Sequence, residues 1–343
     1  MKKSTAVLGL VAGLIVLVYT LGCAYLWSQQ TRFIFMPQRD ITSTPADTGL
    51  PYEDVFIPVA GDSGGVERLH AWWIPAGTAG RSTLLYLHGS ALNIGANVEH
   101  AKRFHGLGFA VLLLSYRGYG RSDGDFPSET TVYQDAEAAW QYLVTKREIA
   151  PDDIMIYGHS LGGAVAIDLA VRHPAARGLI VEATFTSIYN MAARGGAYRV
   201  FPLDLILTQR FDSLSKVDRL RVPVLYLHGT DDRVAPFDMS RRLYERTRAP
   251  KRLQLILGGG HNNSARVGGS VYLQAVKEFQ DMVASVGNTP RLWEKHSLTM
   301  RRCCRASSSG RSFFMSIARD IKSIFLGPDT SDVLFGIKID RTP

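Results

Sequence analysis

Cysteine is scarce in this chain. Three occur in 343 residues, Cys23, Cys303 and Cys304, all outside the long middle, so neither a disulfide framework nor a cysteine-based metal site holds the body together. The 32 glycines show no three-residue period and no segment repeats at solenoid spacing, which excludes collagenous and repeat architectures. A basic surface is also missing where nucleic acid would need it. The formal charge of +8 sits at the ends: Lys2 and Lys3 at one, and ten Lys or Arg against five Asp or Glu in residues 290–343 at the other. Residues 4–289 are close to neutral and carry no basic, aromatic-interleaved stripe, so no nucleic-acid partner is expected. No His-x-x-x-His or His/carboxylate pair has metal-ligand spacing, and no metal is expected. What remains is ordinary globular usage, 46% hydrophobic and 20% charged, enough to bury a real core.

Long hydrophobic runs are missing too, with one exception. Ala6 to Trp27 forms 22 positions without a formal charge, long enough to span a bilayer, with Tyr25 and Trp27 at an interfacial position. Residues 1–27 are expected to be a transmembrane or signal-anchor segment. A cleaved secretory signal lacks its small-x-small site, and a lipoprotein signal acylated at Cys23 has a poor box in Thr20-Leu21-Gly22-Cys23. The lysines before the segment give a slight positive-inside bias, which places the body outside the cytoplasm. At the other end, composition shifts near Gly287. Residues 288–343 form a basic tail with Phe313, Phe314, Ile317, Ile321, Ile324 and Phe325 at roughly helical spacing, either a surface-lying amphipathic helix or an appendage without a catalytic role.

Between these ends, residues 28–287 alternate apolar strands with helical stretches, the pattern of a mostly parallel sheet covered on both faces. Eight strands are expected: 55–58, 69–74, 83–87, 110–115, 154–157, 179–182, 224–227 and 253–257. Several are continuous aliphatic runs, as strands buried on both faces should be. Helices are expected near 98–107, 130–147, 161–172, 238–248 and 268–285. The connection over about 188–221 is longer than a simple crossover and reads as a small helical cap. An insertion there overhangs the carboxyl ends of the strands, where ligands of open α/β sheets bind.

Gly158-His159-Ser160-Leu161-Gly162 follows one of these strands and opens a small-residue helix. A serine on so sharp a strand-to-helix turn needs glycine two before and two after, since side chains there would collide with neighbouring backbone. Taken alone, Gly-x-Ser-x-Gly is a cheap pattern; its context discriminates. Two further groups follow at strand ends in the order Ser, Asp, His: the loop Gly229-Thr230-Asp231-Asp232, and the glycine-rich loop Gly258-Gly259-Gly260-His261. A serine hydroxyl is a poor nucleophile until a neutral imidazole takes its proton, and that imidazole needs a carboxylate to fix its tautomer. The expected roles are Ser160 as nucleophile, His261 as base and Asp232 as orienter, with Asp231 the rival for the third. Oxyanion donors are expected from the amides of Leu161 and Ser90, the latter in His88-Gly89-Ser90-Ala91, with Ala91 second. His88, His159 and His228 read as packing residues.

These residues resemble the α/β-hydrolase family, and specifically its membrane-anchored group related to eukaryotic protein depalmitoylases and bacterial anchored hydrolases. Further segments are similar to that group: Arg32-Phe33-Ile34-Phe35-Met36-Pro37 after the apolar segment, Tyr116-Arg117-Gly118-Tyr119-Gly120-Arg121-Ser122, Tyr133-Gln134-Asp135-Ala136 and Arg210-Phe211-Asp212-Ser213-Leu214. The resemblance spans about residues 6–287 and implies an α/β-hydrolase fold, the same triad and oxyanion pair, and no cofactor. One departure is Ser90 where the group often has asparagine.

The expected function is a membrane-tethered serine hydrolase that cleaves carboxylic esters or thioesters of small-molecule or lipid acyl substrates through an acyl-enzyme. A peptidase on the same fold would want a carboxylate to hold a substrate amine, and Glu182 is the candidate. A non-catalytic binding protein would lack one of the three triad residues.

Overall fold

In the computed structural model, residues 2–61, 64–77 and 82–288 are described. The expected basic tail therefore lies almost wholly outside the described residues. The chain begins with helix α1 (Lys2–Ile34) and then alternates: strands β1 (Met36–Pro37), β2 (Glu53–Ala60), β3 (Val66–Ile74), β4 (Thr83–Leu87) and β5 (Ala91–Leu92), helix α2 (Val98–Gly106), strand β6 (Ala110–Leu114), helix α3 (Glu129–Thr145), strand β7 (Ile154–His159), helix α4 (Leu161–Arg172) and strand β8 (Gly178–Glu182). Two short helices, α5 (Ile188–Arg194) and α6 (Leu203–Ile206), fill the long connection before strand β9 (Val224–Gly229), helix α7 (Asp238–Arg246), strand β10 (Lys251–Ile256) and helix α8 (Ser264–Asn288).

Eight strands form one sheet in the order β10-β9-β8-β7-β4-β6-β3-β2, and the two-residue strands β1 and β5 pair separately. All neighbours are parallel except β3, which runs against both β6 and β2. The central strands are buried on both faces, so successive residues serve different cores. Leu85, Leu112, Ile156 and Tyr226 point into the cluster that α3, α4 and α7 complete. Their neighbours Leu84, Val111, Tyr157 and Leu225 point into the cluster closed by α2 and α8. That arrangement explains why these strands read as unbroken apolar runs rather than alternating ones.

The eight strands of the large sheet lie where the sequence expects them, within a few residues. The differences are local. The helix expected from residue 268 begins at Ser264, with non-helical geometry at Gly269. The apolar N-terminal helix does not stop at Trp27 but continues to Ile34. Its stretch Thr5–Ile34 has a mean hydropathy of 2.4 in its most apolar window and is long and apolar enough to cross a membrane.

Two of the resembling segments are tied by one buried ion pair. Arg117, in the turn after β6, donates from its amide (2.8 Å) and its Nε (2.7 Å) to Asp135 on α3. Its Nη2 reaches the Thr131 carbonyl and Gln134 Oε1, and its Nη1 the Ala60 carbonyl. The guanidinium thus joins the end of β2, the turn after β6 and the first turns of α3. Removing one member of a buried pair costs more than the pair itself contributes, even with Glu67 Oε2 still 3.4 Å from the guanidinium. Asp135→Ala is expected to destabilise the protein by about 3–5 kcal/mol, a fall in Tm of roughly 10 °C that thermal unfolding would register.

Candidate active site

The site is built on a very close backbone approach. A Cβ on Gly158 would stand 2.1 Å from the Gly162 carbonyl oxygen, and one on Gly162 would stand 2.1 Å from that of Leu87. Glycine at both positions lets α4 start directly against the ends of β7 and β4. Between them Ser160 adopts φ 55° and ψ −120°, a conformation costly for any residue with a side chain. Its peptide is pinned from both sides: the Ser160 amide donates to the Glu182 carbonyl (2.9 Å), while its own carbonyl accepts from the Gly163 amide (3.0 Å) and Thr184 Oγ1 (2.8 Å).

His261 reaches Ser160 from the loop after β10. Its Nε2 lies 2.9 Å from Ser160 Oγ and its Nδ1 lies 2.7 Å from Asp232 Oδ2. With Nδ1–H donating to the carboxylate, Nε2 is left to accept from the serine hydroxyl. The loop itself is located by glycine, since a Cβ on Gly229 would meet the Gly259 carbonyl at 2.1 Å. Asp231, the rival carboxylate, is exposed and bonds only within its own loop and to Gly259.

Asp232 is surrounded by donors. Oδ1 accepts from the amides of Val234 (2.8 Å) and Ala235 (2.9 Å), and Oδ2 also lies 3.1 Å from His228 Nε2. Burial by itself would raise its pKa, but the hydrogen bonds from His228, His261 and Ala235 outweigh that and hold the carboxyl well below the usual carboxylate range. His228 is fully buried, with its Nδ1 2.7 Å from Ser240 Oγ. It is therefore more than the packing residue the sequence suggested: it orients the aspartate. Nothing in the sequence distinguished it from His88, which packs against Tyr116 and Tyr119 and whose pKa burial lowers to about 4. His159 is likewise kept neutral by burial, with a pKa of about 4. Its Nε2–H donates to the His261 carbonyl at 2.9 Å and steadies the loop.

Ser90 and Leu161 both border Ser160 in the same cavity. Among the described residues neither amide finds a protein acceptor, so both remain available to a bound group. Ala91, the second choice for this role, lies in β5. The Ser90 loop is braced through its carbonyl, which accepts from the Met36 amide (2.8 Å) and Tyr119 Oη (2.6 Å).

The cavity, about 350 Å³, is walled chiefly by apolar side chains, with Phe185, Ile188, Met191, Leu203 and Ile206 among them. Part of its wall comes from α1: Leu26, Gln30, Phe33 and Ile34. Gln30 is the residue the sequence did not single out. It is buried, its Oε1 accepts from the amides of Thr208 (2.8 Å) and Gln209 (3.0 Å), and its Nε2 reaches the Ile206 carbonyl (3.3 Å). A pair of glutamines, Gln29 and Gln30, in an apolar helix was the available signal.

Among the described residues, no acidic side chain lines this cavity. Glu182, the residue expected to hold an amine in a peptidase, lies buried behind it. Its Oε2 accepts from the hydroxyls of Tyr157 (2.8 Å) and Tyr272 (2.6 Å).

Residues 78–215 match the protein family described as Serine aminopeptidase, S33. The chain is 32% identical over 278 residues to an uncharacterized Mycobacterium tuberculosis protein, covering 81% of this chain and 96% of that one. It is 33% identical over 219 residues to human alpha/beta hydrolase domain-containing protein 17B, covering 62% of this chain and 70% of the relative. Arabidopsis thaliana alpha/beta hydrolase domain-containing protein WAV2 is 30% identical over 285 residues, with 77% and 91% covered. Among solved structures, an esterase from Pyrococcus furiosus superposes with a TM-score of 0.60 at 20% identity, covering 73% of this chain and 98% of its own. A puromycin-hydrolyzing peptidase of M. tuberculosis shares the fold, with a TM-score of 0.51 at 20% identity over 68% of this chain and 39% of its own.

The depressed Asp232 pKa has a consequence for stability. A carboxyl whose folded pKa lies below its unfolded value stabilises the fold above the unfolded pKa, and that contribution is lost as pH falls toward the folded one. The Tm gap between wild type and Asp232→Asn should therefore be widest near neutrality and narrow below about pH 4. Thermal unfolding of both proteins across a pH series measures it.

Proposed function

The chain belongs to the α/β-hydrolase family, and from that premise we propose that it is a serine hydrolase acting on carboxylic esters or thioesters of acyl substrates. The observation that carries this reading is the unbroken contact from Asp232 through His261 to Ser160 at one end of an apolar cavity. In this mechanism His261 takes the Ser160 proton as Oγ attacks the acyl carbonyl, and Asp232 stabilises the imidazolium that forms. The oxyanion is met by the amides of Ser90 and Leu161, held in place before reaction begins. Collapse of the intermediate expels the alcohol or thiol, protonated by His261. Water, activated by the same histidine, then releases the acid.

An ester or thioester reading is favoured over an aminopeptidase reading by the cavity wall. A substrate ammonium would need a carboxylate there, and the wall supplies none. Acyl chains suit it, since burial of apolar surface drives their binding. A non-catalytic scaffold would have no need of a serine held in a strained conformation against a histidine. We further propose that α1 crosses a membrane and holds residues 28–287, with the cap over about 188–221, on its extracytoplasmic side.

The test is hydrolysis of short-chain to long-chain p-nitrophenyl esters and thioesters by the full chain in detergent, beside Ser160→Ala. Wild type should turn over the longer acyl chains best and label with a fluorophosphonate. The variant should lose roughly a million-fold in kcat and all labelling. A wild type that neither hydrolyses nor labels would sink the catalytic reading and favour a binding protein.

A further inference from the structure

The cap does not merely roof the cavity; it leans along the apolar helix. The Tyr19 ring stacks on Phe201 with centroids 5.9 Å apart and planes 9° from parallel. Tyr19 Oη donates to the Val200 carbonyl at 2.9 Å. Phe201 also fills the space beside Gly22, its Cε1 3.3 Å from where a Cβ would be. These contacts fall within the apolar span, not at its end. We propose that cap residues 198–206 are inserted into the surface of the bilayer that α1 crosses. The acyl chain of a membrane-held ester or thioester then reaches Ser160 through the groove between this segment and α1, without passing through water. The inference rests on the membrane-spanning reading of α1 and adds to it where the substrate comes from.

Depth follows from helix geometry. A hydrocarbon core about 30 Å thick takes about 20 helical residues; counted from Thr5, where the apolar stretch begins, it ends near Ala24. At about 1.5 Å per residue, Tyr19 and Gly22 lie roughly 3–8 Å inside that edge, the depth to which interfacial elements insert. The cap side chains carried to this level suit it: Val200 is 66% and Leu205 83% exposed, high values for aliphatic residues facing water. The pairing of the Tyr19 hydroxyl with the Val200 carbonyl satisfies two polar groups that lipid could not. Between residues 188 and 210 there are three arginines, Arg194, Arg199 and Arg210, against one acid, Asp204. Arg194 pairs with Asp238 on α7, while Arg199 and Arg210 bond the backbone carbonyls of Ala193 and Asp204 and keep their charge for lipid phosphates at this level.

The cavity continues this surface inward. Leu26, Gln30 and Phe33 on α1, Tyr198, Leu203 and Ile206 of the cap, and Ser160 all line it. Leu26 is only two residues past the calculated edge. An acyl chain leaving the bilayer along α1 therefore meets apolar side chains from the membrane to the serine.

The full chain is reconstituted in vesicles of phosphatidylcholine and phosphatidylglycerol, with Cys23→Ser, Cys303→Ser and Cys304→Ser as background. A nitrobenzoxadiazole label is placed by Leu205→Cys, by Leu17→Cys on α1, or by Ser215→Cys, an exposed position outside residues 198–206. Nitroxide-bearing lipids should quench the label at 205 at least about threefold more than at 215, as expected for an inserted element. Quenching at 17 with none at 205 would overturn the insertion and leave α1 spanning. No quenching at 17 would remove the spanning reading and this proposal with it. In a second arm, Val200→Asp with Leu205→Asp, neither on the cavity wall, should slow hydrolysis of a bilayer-embedded long-chain ester about tenfold and leave a soluble short-chain ester unchanged. An equal effect on both substrates would overturn delivery from the membrane.

Discussion

Everything at this site depends on how closely the first turn of α4 can approach the ends of two parallel strands. With Gly158 and Gly162 carrying no side chain, the backbone of the turn comes into direct contact with the Leu87 and Gly162 carbonyls. That contact holds Ser160 at a positive φ, a posture no isolated chain would keep. The strain is sustained by the sheet: Glu182 at the end of β8, Thr184 just beyond it and Gly163 in α4 all hold the Ser160 peptide. Because the serine is fixed, the other groups need only be brought to it. The loops after β9 and β10 do this by packing against each other through Gly229 and Gly259.

The second tier is electrostatic. Asp232 is a buried carboxylate made affordable by four donors, two amides and two histidines. His228 and His261 both approach its Oδ2, so the charge beside His261 is itself held in place. On the opposite flank, Arg117 and Asp135 lock the turn after β6 to α3, and Tyr119 in that same turn holds the Ser90 carbonyl. The resembling segments around residues 116–122 and 133–136 thus brace one loop beside the serine.

Much of this was legible in the sequence because its signals are local. A strand buried on both faces must be continuously apolar, and the central runs at 83–87, 110–114, 154–157, 179–181 and 224–227 announce themselves. The elbow is legible for the same reason, since its glycines and serine lie within five residues. Other features depend on partners distant in the chain. His88 and His228 each precede a glycine at a strand end, yet one packs on tyrosine rings and the other contacts Asp232; the difference lies in Ser240 and Ala235, which the fold brings to His228. Glu182 ends its strand as a substrate-binding residue would, and only the tyrosines from β7 and α8 show that it faces inward. The reach of α1 past Trp27 was hidden because Gln29, Gln30 and Arg32 look like the close of an apolar segment, whereas Gln30 spends its polarity on the cap.

That glutamine changes what the anchor is. By capping the amides of Thr208 and Gln209, Gln30 makes the last turns of α1 an architectural part of the hydrolase body. Release by proteolysis ahead of residue 35 would shed more than a tether, since a cavity wall leaves with it. On the acyl-hydrolase function proposed above, the shed form would keep Ser160 and lose the wall that would gauge the acyl chain, turning a selective enzyme into an indiscriminate one. On that same proposal, attachment and selectivity would be a single property, encoded in one helix.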